Sequence, residues 1–490
     1  MAVTDMLDLY TPEEAWEELQ QRRAKYFDLY NATFSGEHND LARTAVQGSF
    51  WKRGGKVKQH VPVAADIAAT SASLLFGEEP RFTIFDESLG DTEDGSQPRL
   101  DAIIAGNGLL QKLNEAAESA SAAGDVFLKC RFDRDALDMP SIQVVRGADA
   151  LSEYRLGALQ CIHFFTVLKV EIKTGKIWRV YERYEPGRIE THVYCGLSNV
   201  LGTEEPDVLA ALGMEMEVVP PVAMMLAAHI VNMKPSRVWL TDDKGRSDFE
   251  GLRDMLDSLD EIYTSWLRDI RLAKSRLIVP AEFLRRKPSD MFTENSYKYE
   301  FDEDVETLVA LDMGDGTEQK ITPSQFAIRS QEHAATYEST LRTIISMAGY
   351  SPQTFGLDIN GNAESGTARR IMEKKSLSTN AKKQNYWRAP LEDFLTAVLH
   401  LDKALYGNNE LHDDDCVRVE MHDPIVTGVA DMASAVNLLR SAQAASTETL
   451  VKMLHPEWQQ GKVDEEVAAI HEEQGVESAL SQPFMGDDEA

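Results

Sequence analysis

The stretch from Thr322 to Tyr406 constrains this chain most: two helical segments joined by a glycine- and asparagine-rich loop, FGLDINGNAESG, from Phe355 to Gly366. The first segment opens on Thr322-Pro323-Ser324-Gln325, where the threonine can accept free N–H groups, proline suits the first helical position and glutamine can reach back as in a capping box. Tyr337, Leu341, Ile344, Ile345 and Ala348 then recur at three- and four-residue spacing, and Gly349 and Pro352 supply the stop, which predicts a helix from about Pro323 to Ala348. The second segment begins near Ser365 with the helix formers Ala368, Arg369, Arg370, Met372, Glu373, Lys374 and Lys375, and regains an apolar stripe at Leu391, Phe394, Leu395, Val398, Leu399 and Leu405. Pro390 predicts a kink, because the pattern resumes at once. At 1.5 Å per residue, about 40 residues make a rod of roughly 60 Å. Its middle, Lys374 to Asn385, is too polar for a buried helix of a small globule, so it is expected to lie against another subunit or a wet surface.

A second strong helix is expected over Ser247 to Leu277. Ser247-Asp248-Phe249-Glu250 reads as a capping box, and Leu252, Met255, Leu256, Leu259, Ile262, Tyr263, Trp266 and Ile270 trace one apolar stripe. Acidic residues fill its first half and Arg268, Arg271, Lys274 and Arg276 its second, matching the helix dipole. Between this helix and the next lies a short excursion with Pro280, Arg285, Arg286, Lys287 and Pro288, and strand-like runs at Tyr297 to Phe301 and Thr307 to Leu311.

Upstream, helices are expected at Pro12 to about Tyr30, Val63 to Phe76 and Leu100 to Ala123, with a strand at Arg81 to Phe85 and a polar surface loop at Asp86 to Pro98. From Val126 to Cys195 the period changes: Val126 to Phe132, Ile142 to Arg146, Cys161 to Val170, Lys176 to Tyr184 and Arg188 to Tyr194 read as strands, the last two joined by the turn Glu185-Pro186-Gly187. Val218 to Met233, interrupted by Pro220, Pro221 and His229, is short for a membrane span and reads as a buried strand with its flanks. A strand at Val417 to Met421 and helices at Asp431 to Arg440, Ser446 to Leu454 and Asp464 to Gln474 follow, ahead of an acidic tail from Gln482 expected to be disordered. The fold class is α+β, mainly helical.

Charge narrows the function. With 81 acidic against 50 basic residues the chain carries 31 excess negative charges, which argues against nonspecific adhesion to nucleic acid or an anionic membrane. Cys130, Cys161, Cys195 and Cys416 are scattered with no close pair, suggesting neither a zinc site nor a disulfide framework, and the acidic N-terminal residues are unlike a secretory signal. No phosphate-binding loop, nucleophile elbow, zincin or dinucleotide fingerprint is present, so no enzyme, cofactor or catalytic residue is expected. The nearest thing to a metal cluster, His412, Asp413, Asp414, Asp415, His422 and Asp423, reads more simply as a solvated acidic loop. The basic set Arg369, Arg370, Lys374, Lys375, Lys382, Lys383 and Arg388 stands out; it could meet DNA phosphates, or pair with acidic neighbours across a subunit contact, or face water. Asn360 and Asn362 give the loop polar groups that could touch a ligand without charge.

The order helix, β excursion, helix, flexible loop and long helix resembles the portal proteins of tailed double-stranded DNA bacteriophages. The resemblance is carried by AADIAATSASLLFGEEPRF at Ala64 to Phe82, GRSDFEGLRDMLDSLDEIYTSWLRDIR at Gly245 to Arg271 and GYSPQTFGLDINGNAESGTARRI at Gly349 to Ile371, in that order and spacing over most of the chain. It implies a homo-oligomeric ring, usually a dodecamer, at one capsid vertex, assembled in the host bacterial cytoplasm, with double-stranded DNA packaged and ejected through its channel. By analogy residues 1–246 form the wing, 247–279 the first stem helix, 280–321 the clip, 322–349 the second stem helix, 350–366 the channel loop, 367–420 the long kinked wing helix and return strand, 421–476 the crown and 477–490 the tail. Asn360, Asn362, Arg369, Arg370, Lys374 and Lys375 are then channel candidates, and Arg285, Arg286 and Lys287 would meet the terminase and later the head-completion adaptor. Major capsid and scaffolding proteins are further implied partners; ATP hydrolysis would belong to the terminase. A minor capsid or adaptor subunit would lack the paired stem helices, and a nuclease using the His412 to Asp423 cluster would need divalent metal and lose activity on Asp415→Ala.

Overall fold

The computed structural model describes residues 9–22, 60–86, 90–91, 96–237, 243–273, 276–280, 309–311, 322–324, 328–357, 371–407, 412, 415–421, 429–455, 458 and 460–480. Helices and sheets are interleaved, as the α+β expectation requires. The N-terminal helix α1 spans Pro12–Arg22 and lays Ala15, Trp16 and Leu19 on the large sheet. Helix α2, Val63–Phe76, is built of small residues, and buries Ala64, Ile67, Ala68, Ser71, Ala72 and Leu75 at alternating spacings of three and one. With so little side-chain bulk, neighbouring helices can approach closely on two sides. Strand β1, Arg81–Asp86, pairs with β2, Gly90–Asp91; α3, Gln97–Asn107, and α4, Leu109–Ala123, follow. The single helix expected from Leu100 to Ala123 is thus two, because Gly108 between them takes the left-handed conformation.

Strands β3, Asp125–Arg131, and β4, Ser141–Arg146, form a small sheet with β11, Ala227–Val231. A second, larger sheet has the order β10-β8-β7-β6-β5, built from β5, Ala150–Arg155, β6, Ala158–Glu171, β7, Lys176–Glu185, β8, Arg188–Gly196, and β10, Glu217–Val218; the short β9, Thr203–Glu204, pairs with β8, and helix α5, Pro206–Ala211, packs beside it. Glu185-Pro186-Gly187 closes the β7–β8 hairpin as expected, with Glu185 opposite Arg188. Strand β5 was not legible in the sequence: its core residues Ala150, Leu151, Ser152 and Glu153 are all buried and show no alternation.

Helix α6 spans Arg253–Leu272 and begins six residues after the expected start. Ser247-Asp248-Phe249-Glu250 does not cap it: the Ser247 and Asp248 side chains bond to α4, Glu250 receives Ser236, and Gly251 turns the backbone at φ 80°. Its C-terminal end also falls short of Leu277, which lies in β12, Arg276–Pro280. Strand β12 pairs with β13, Val309–Leu311, and with β14, Thr322–Ser324. The residues read as the start of the next helix are therefore strand, their backbone taken by the ladder, and α7 spans Ser330–Ala348. After a 3₁₀ turn at Pro352–Phe355, α8 spans Lys374–Tyr406, unbroken through Pro390; β15, Asp415–Glu420, returns along it to pair with β1. Helices α9, Val429–Ser441, α10, Thr447–Leu454, and α11, Gln460–Leu480, end the described chain, and Ser446 caps α10 by accepting the Thr449 N–H. No described helix is long and apolar enough to cross a membrane.

The main core is gathered from α2, α3, α4, strands of both β sheets beside it, β1, β15 and the second half of α8, with the fully buried Trp387 edge-on to Phe76. A second cluster joins Val63, Ala64, Ile67 and Ala68 of α2 to Leu256 and Leu259 of α6 and to Ile344, Ile345 and Ala348 of α7. Each fully buried aliphatic or aromatic side chain here contributes roughly 1.5–3 kcal/mol.

Candidate functional site

One buried polar junction lies where α2, α4, α7 and α8 meet the turn before α6. Lys383 is 1% exposed and donates to Asp248 Oδ2 at 2.6 Å, Ser71 Oγ at 2.6 Å and the Tyr350 hydroxyl at 2.9 Å, so each of its three N–H groups has an acceptor. Asp248 Oδ2 also accepts from Ser121 Oγ at 2.6 Å and from the Tyr350 hydroxyl at 2.8 Å, and its Oδ1 accepts from Asn232 Nδ2 at 2.9 Å. Burial lowers Lys383 below its ordinary value although Asp248 opposes this, and burial followed by the Asp248 charge raises Tyr350 well above its own. The junction accounts for one face of the polar stretch Lys374 to Asn385, which was expected to lie against another subunit or a wet surface; its other face, with Lys374, Lys375, Ser378, Lys382 and Asn385, is exposed. Ser376, Thr379, Asn380 and Lys383 are buried inside this chain and continue the face of Trp387, Leu391, Phe394 and Val398 at helical spacing. One face runs the length of the helix, and its partners change from polar to apolar at Trp387.

The same region ties the chain before the glycine-rich loop to the first turns of α8. Ser376 Oγ accepts the Ser351 N–H at 2.8 Å and bonds Thr354 Oγ1 at 2.8 Å, while Thr379 Oγ1 donates to the Gly349 carbonyl at 2.6 Å. Lys375 Nζ donates to the Ser346 carbonyl and, at 2.9 Å, to Ser346 Oγ. Its ammonium thus sits at the negative end of α7, the favourable end of that helix for a cation. The described residues on either side, Gly349 to Thr354 and Lys375 to Thr379, are thereby held to one another.

Helices α6 and α7 pack side by side beyond the junction. Tyr263 and Trp266 of α6 meet Tyr337 and His333 of α7, and the His333 ring stacks on Trp266. Asp269 accepts from Arg329 at 2.6 Å and bonds His333 at 2.9 Å, and those hydrogen bonds hold its carboxyl below its ordinary value. At the other end, Asp260 accepts the Val61 N–H at 2.9 Å and bonds His60, fixing α6 to the chain entering α2.

Of the channel candidates, Lys374 and Lys375 are exposed at the start of α8; Asn360, Asn362, Arg369 and Arg370 lie outside the described residues, as do Arg285, Arg286 and Lys287. Within the wider basic set Lys382 is exposed, Lys383 belongs to the junction, and Arg388 lines an open cavity of about 610 Å³ with Glu392, Arg418 and Glu420. In the acidic and histidine cluster, Asp415 is buried at the start of β15 and accepts the backbone N–H of His412 at 2.6 Å; Asp413, Asp414, His422 and Asp423 lie outside the described residues. Sequence reasoning missed Asp248, Tyr350 and Ser71 as one unit. Asp248 was read as part of a cap, and nothing local marks a lysine at Lys383 as buried.

The family described as phage portal protein, SPP1 Gp6-like, matches residues 16–478. This chain belongs to that phage portal family. A portal protein is the head-tail connector of a phage and a structural component of the virion. Among solved structures, the neck of an empty gene transfer agent particle is 13% identical, covering 84% of this chain and 97% of that one at a TM-score of 0.41. The virion of a native gene transfer agent particle is 12% identical, covering 85% and 98% at 0.39, and the neck of the native particle, with C12 symmetry, is 12% identical, covering 80% and 88% at 0.38. No curated protein matches the portal chain.

Proposed function

We propose that this portal chain closes into a ring of twelve at one capsid vertex, through which double-stranded DNA enters during packaging and leaves on ejection. The observation that carries the reading is the family match across residues 16–478. In this reading the wing is 1–246, α6 and α7 form the stem within 247–279 and 322–349, the intervening 280–321 is the clip, 350–366 the channel loop, 367–420 the wing helix and its return strand, and 421–476 the crown. The terminase docks on the clip through Arg285, Arg286 and Lys287 and is replaced there by the head-completion adaptor, while major capsid and scaffolding proteins hold the outer rim.

The physics of the chain supports such a conduit. A subunit with 31 excess negative charges repels phosphates, so DNA slides instead of adhering, and a few basic side chains near the loop, Arg369, Arg370, Lys374 and Lys375, steer it with Asn360 and Asn362. A loop pressed by moving DNA also needs a base that does not open, and the Lys383 junction together with the Ser351, Thr354 and Ser376 bonds supplies one. Native mass spectrometry with negative-stain imaging of the same sample tests the reading. Closed rings of about a dozen subunits with a central hole are expected, because cyclic heterologous contacts must close. A stable dimer that cleaves DNA with magnesium would overturn it.

A further inference from the structure

Beneath α1, on the face of the large sheet, three buried side chains of different chemistry converge. Glu153 of β5 stands opposite Cys161 of β6, and His163 lies two residues further along β6, hence on the same face. Cys161 Sγ is 3.3 Å from His163 Nε2 and 3.7 Å from Glu153 Oε2, and that nitrogen and oxygen are 3.4 Å apart. We propose that Glu153, Cys161 and His163 form a binding site for a zinc ion, independent of the portal assignment.

Spacing is the first argument. With zinc about 2.3 Å from sulfur and about 2.0–2.2 Å from nitrogen and oxygen, a tetrahedron has ligand-to-ligand edges of about 3.4–3.6 Å. The three observed separations, 3.3, 3.4 and 3.7 Å, lie within a few tenths of an ångström of that range. As a direct hydrogen bond the 3.4 Å nitrogen-to-oxygen contact is long, since such bonds cluster at about 2.7–3.2 Å. The second argument is support around the ligands. His163 Nδ1 bonds the Tyr181 hydroxyl at 2.9 Å, which fixes the ring with Nε2 toward the other two groups; Glu153 Oε2 accepts the Tyr10 N–H at 2.9 Å, and Arg155 holds Oε1 at 3.3 Å. The third is charge. The Cys161 thiolate and the Glu153 carboxylate together offset the two positive charges of a zinc dication, as burial of Cys161 and His163 requires, and the Arg155 guanidinium on Glu153 Oε1 stands at the partly exposed edge of the site. Thiolate and imidazole select a borderline or soft metal over magnesium or calcium. The fourth position falls to a water. The expectation of no zinc site looked only for paired cysteines; the signal was the Cys161-Ile162-His163 alternation on a strand.

Burial, then the Glu153 charge, pushes the Cys161 thiol up to about 12, and burial depresses His163 although Glu153 opposes this, so without metal the thiol keeps its proton and the imidazole is neutral. Zinc binding then forms a zinc–sulfur bond, breaks the S–H bond and releases one proton to solvent per ion. Full-length protein stripped with a chelator is titrated with zinc sulfate, and separately with cobalt chloride. We expect one zinc retained per chain by elemental analysis, one proton released in weak buffer, and a near-ultraviolet thiolate-to-cobalt absorption band. Cys161→Ser abolishes the band, Cys195→Ser keeps it, and Tyr181→Phe weakens zinc binding about 10–100-fold. Folded wild-type protein that retains no zinc and shows no band overturns the proposal without recourse to any variant, and so does a band that survives Cys161→Ser.

Discussion

Lys383 illustrates how one residue can be read in two ways. In the sequence it is one of seven basic residues around the start of a helix, and in the structure it is the charge at the centre of the Asp248 junction. Replacing it with Met leaves Asp248 buried without its cation, so chemical denaturation is expected to show a loss of about 3 kcal/mol, the lower end of the range for breaking a buried pair because Ser121, Asn232 and Tyr350 still donate to the carboxylate. Lys382→Ala, one residue away and exposed, is expected to change stability by no more than about 0.5 kcal/mol. His229 makes a second prediction. It is fully buried, stacked on Phe127 and bonded to the Tyr154 hydroxyl at 3.0 Å; burial, then the Arg22 charge, pushes it down to about 3. The unfolded chain takes up this proton below about pH 6.5 and the folded chain does not until about 3, so stability falls as pH drops through that window by about 1.4 kcal/mol per unit. Denaturation midpoints between pH 7 and 4 should show the slope, and His229→Gln should reduce it.

At the scale of elements, the ends of helices carry the departures from the sequence pattern. The core turns of α6, α7 and α8 were legible because their apolar residues recur at helical spacing. Their starts were not, because a serine or threonine that suits a cap suits other acceptors equally well. Ser247 gives its hydroxyl to the Ala122 carbonyl at 2.6 Å, and Thr322 lies in a strand paired with β12. The turn that delivers Ser247 and Asp248 depends on Gly245, whose Cβ, if it had one, would stand 1.9 Å from the Gly124 carbonyl oxygen and 2.4 Å from an Asp125 carboxylate oxygen. Gly245→Ala therefore has to move backbone, and a loss of more than about 3 kcal/mol is expected in thermal or chemical denaturation, comparable to breaking the junction itself. Gly251→Ala, at positive φ with open space around it, is expected to cost about 1 kcal/mol, the backbone term alone.

For the whole molecule, net charge sets the conditions of assembly. Subunits carrying 31 excess negative charges repel one another when brought into a ring, and the Debye length shrinks from about 30 Å at 0.01 M salt to about 8 Å at 0.15 M. The proposed ring is expected to populate more fully as sodium chloride is raised over that range, with a falling fraction of free subunit in sedimentation or native mass spectrometry. If assembly weakens with salt instead, attractive ion pairs between subunits outweigh the net repulsion.

The sequence by itself determined the α+β class, the order of the long helices and the β7–β8 hairpin, because these depend on periodicity and turn chemistry that each segment carries locally, and its resemblance at Ala64 to Phe82, Gly245 to Arg271 and Gly349 to Ile371 pointed to the portal family. Only the tertiary structure decided which polar residues are buried. Ser71, Ser121, Asp248, Tyr350 and Lys383 are up to 312 positions apart, and Glu153, Cys161 and His163 come from two strands under a third element. A buried charge is tolerated only where partners from elsewhere meet it, and that condition belongs to the packed chain, since no single segment contains it.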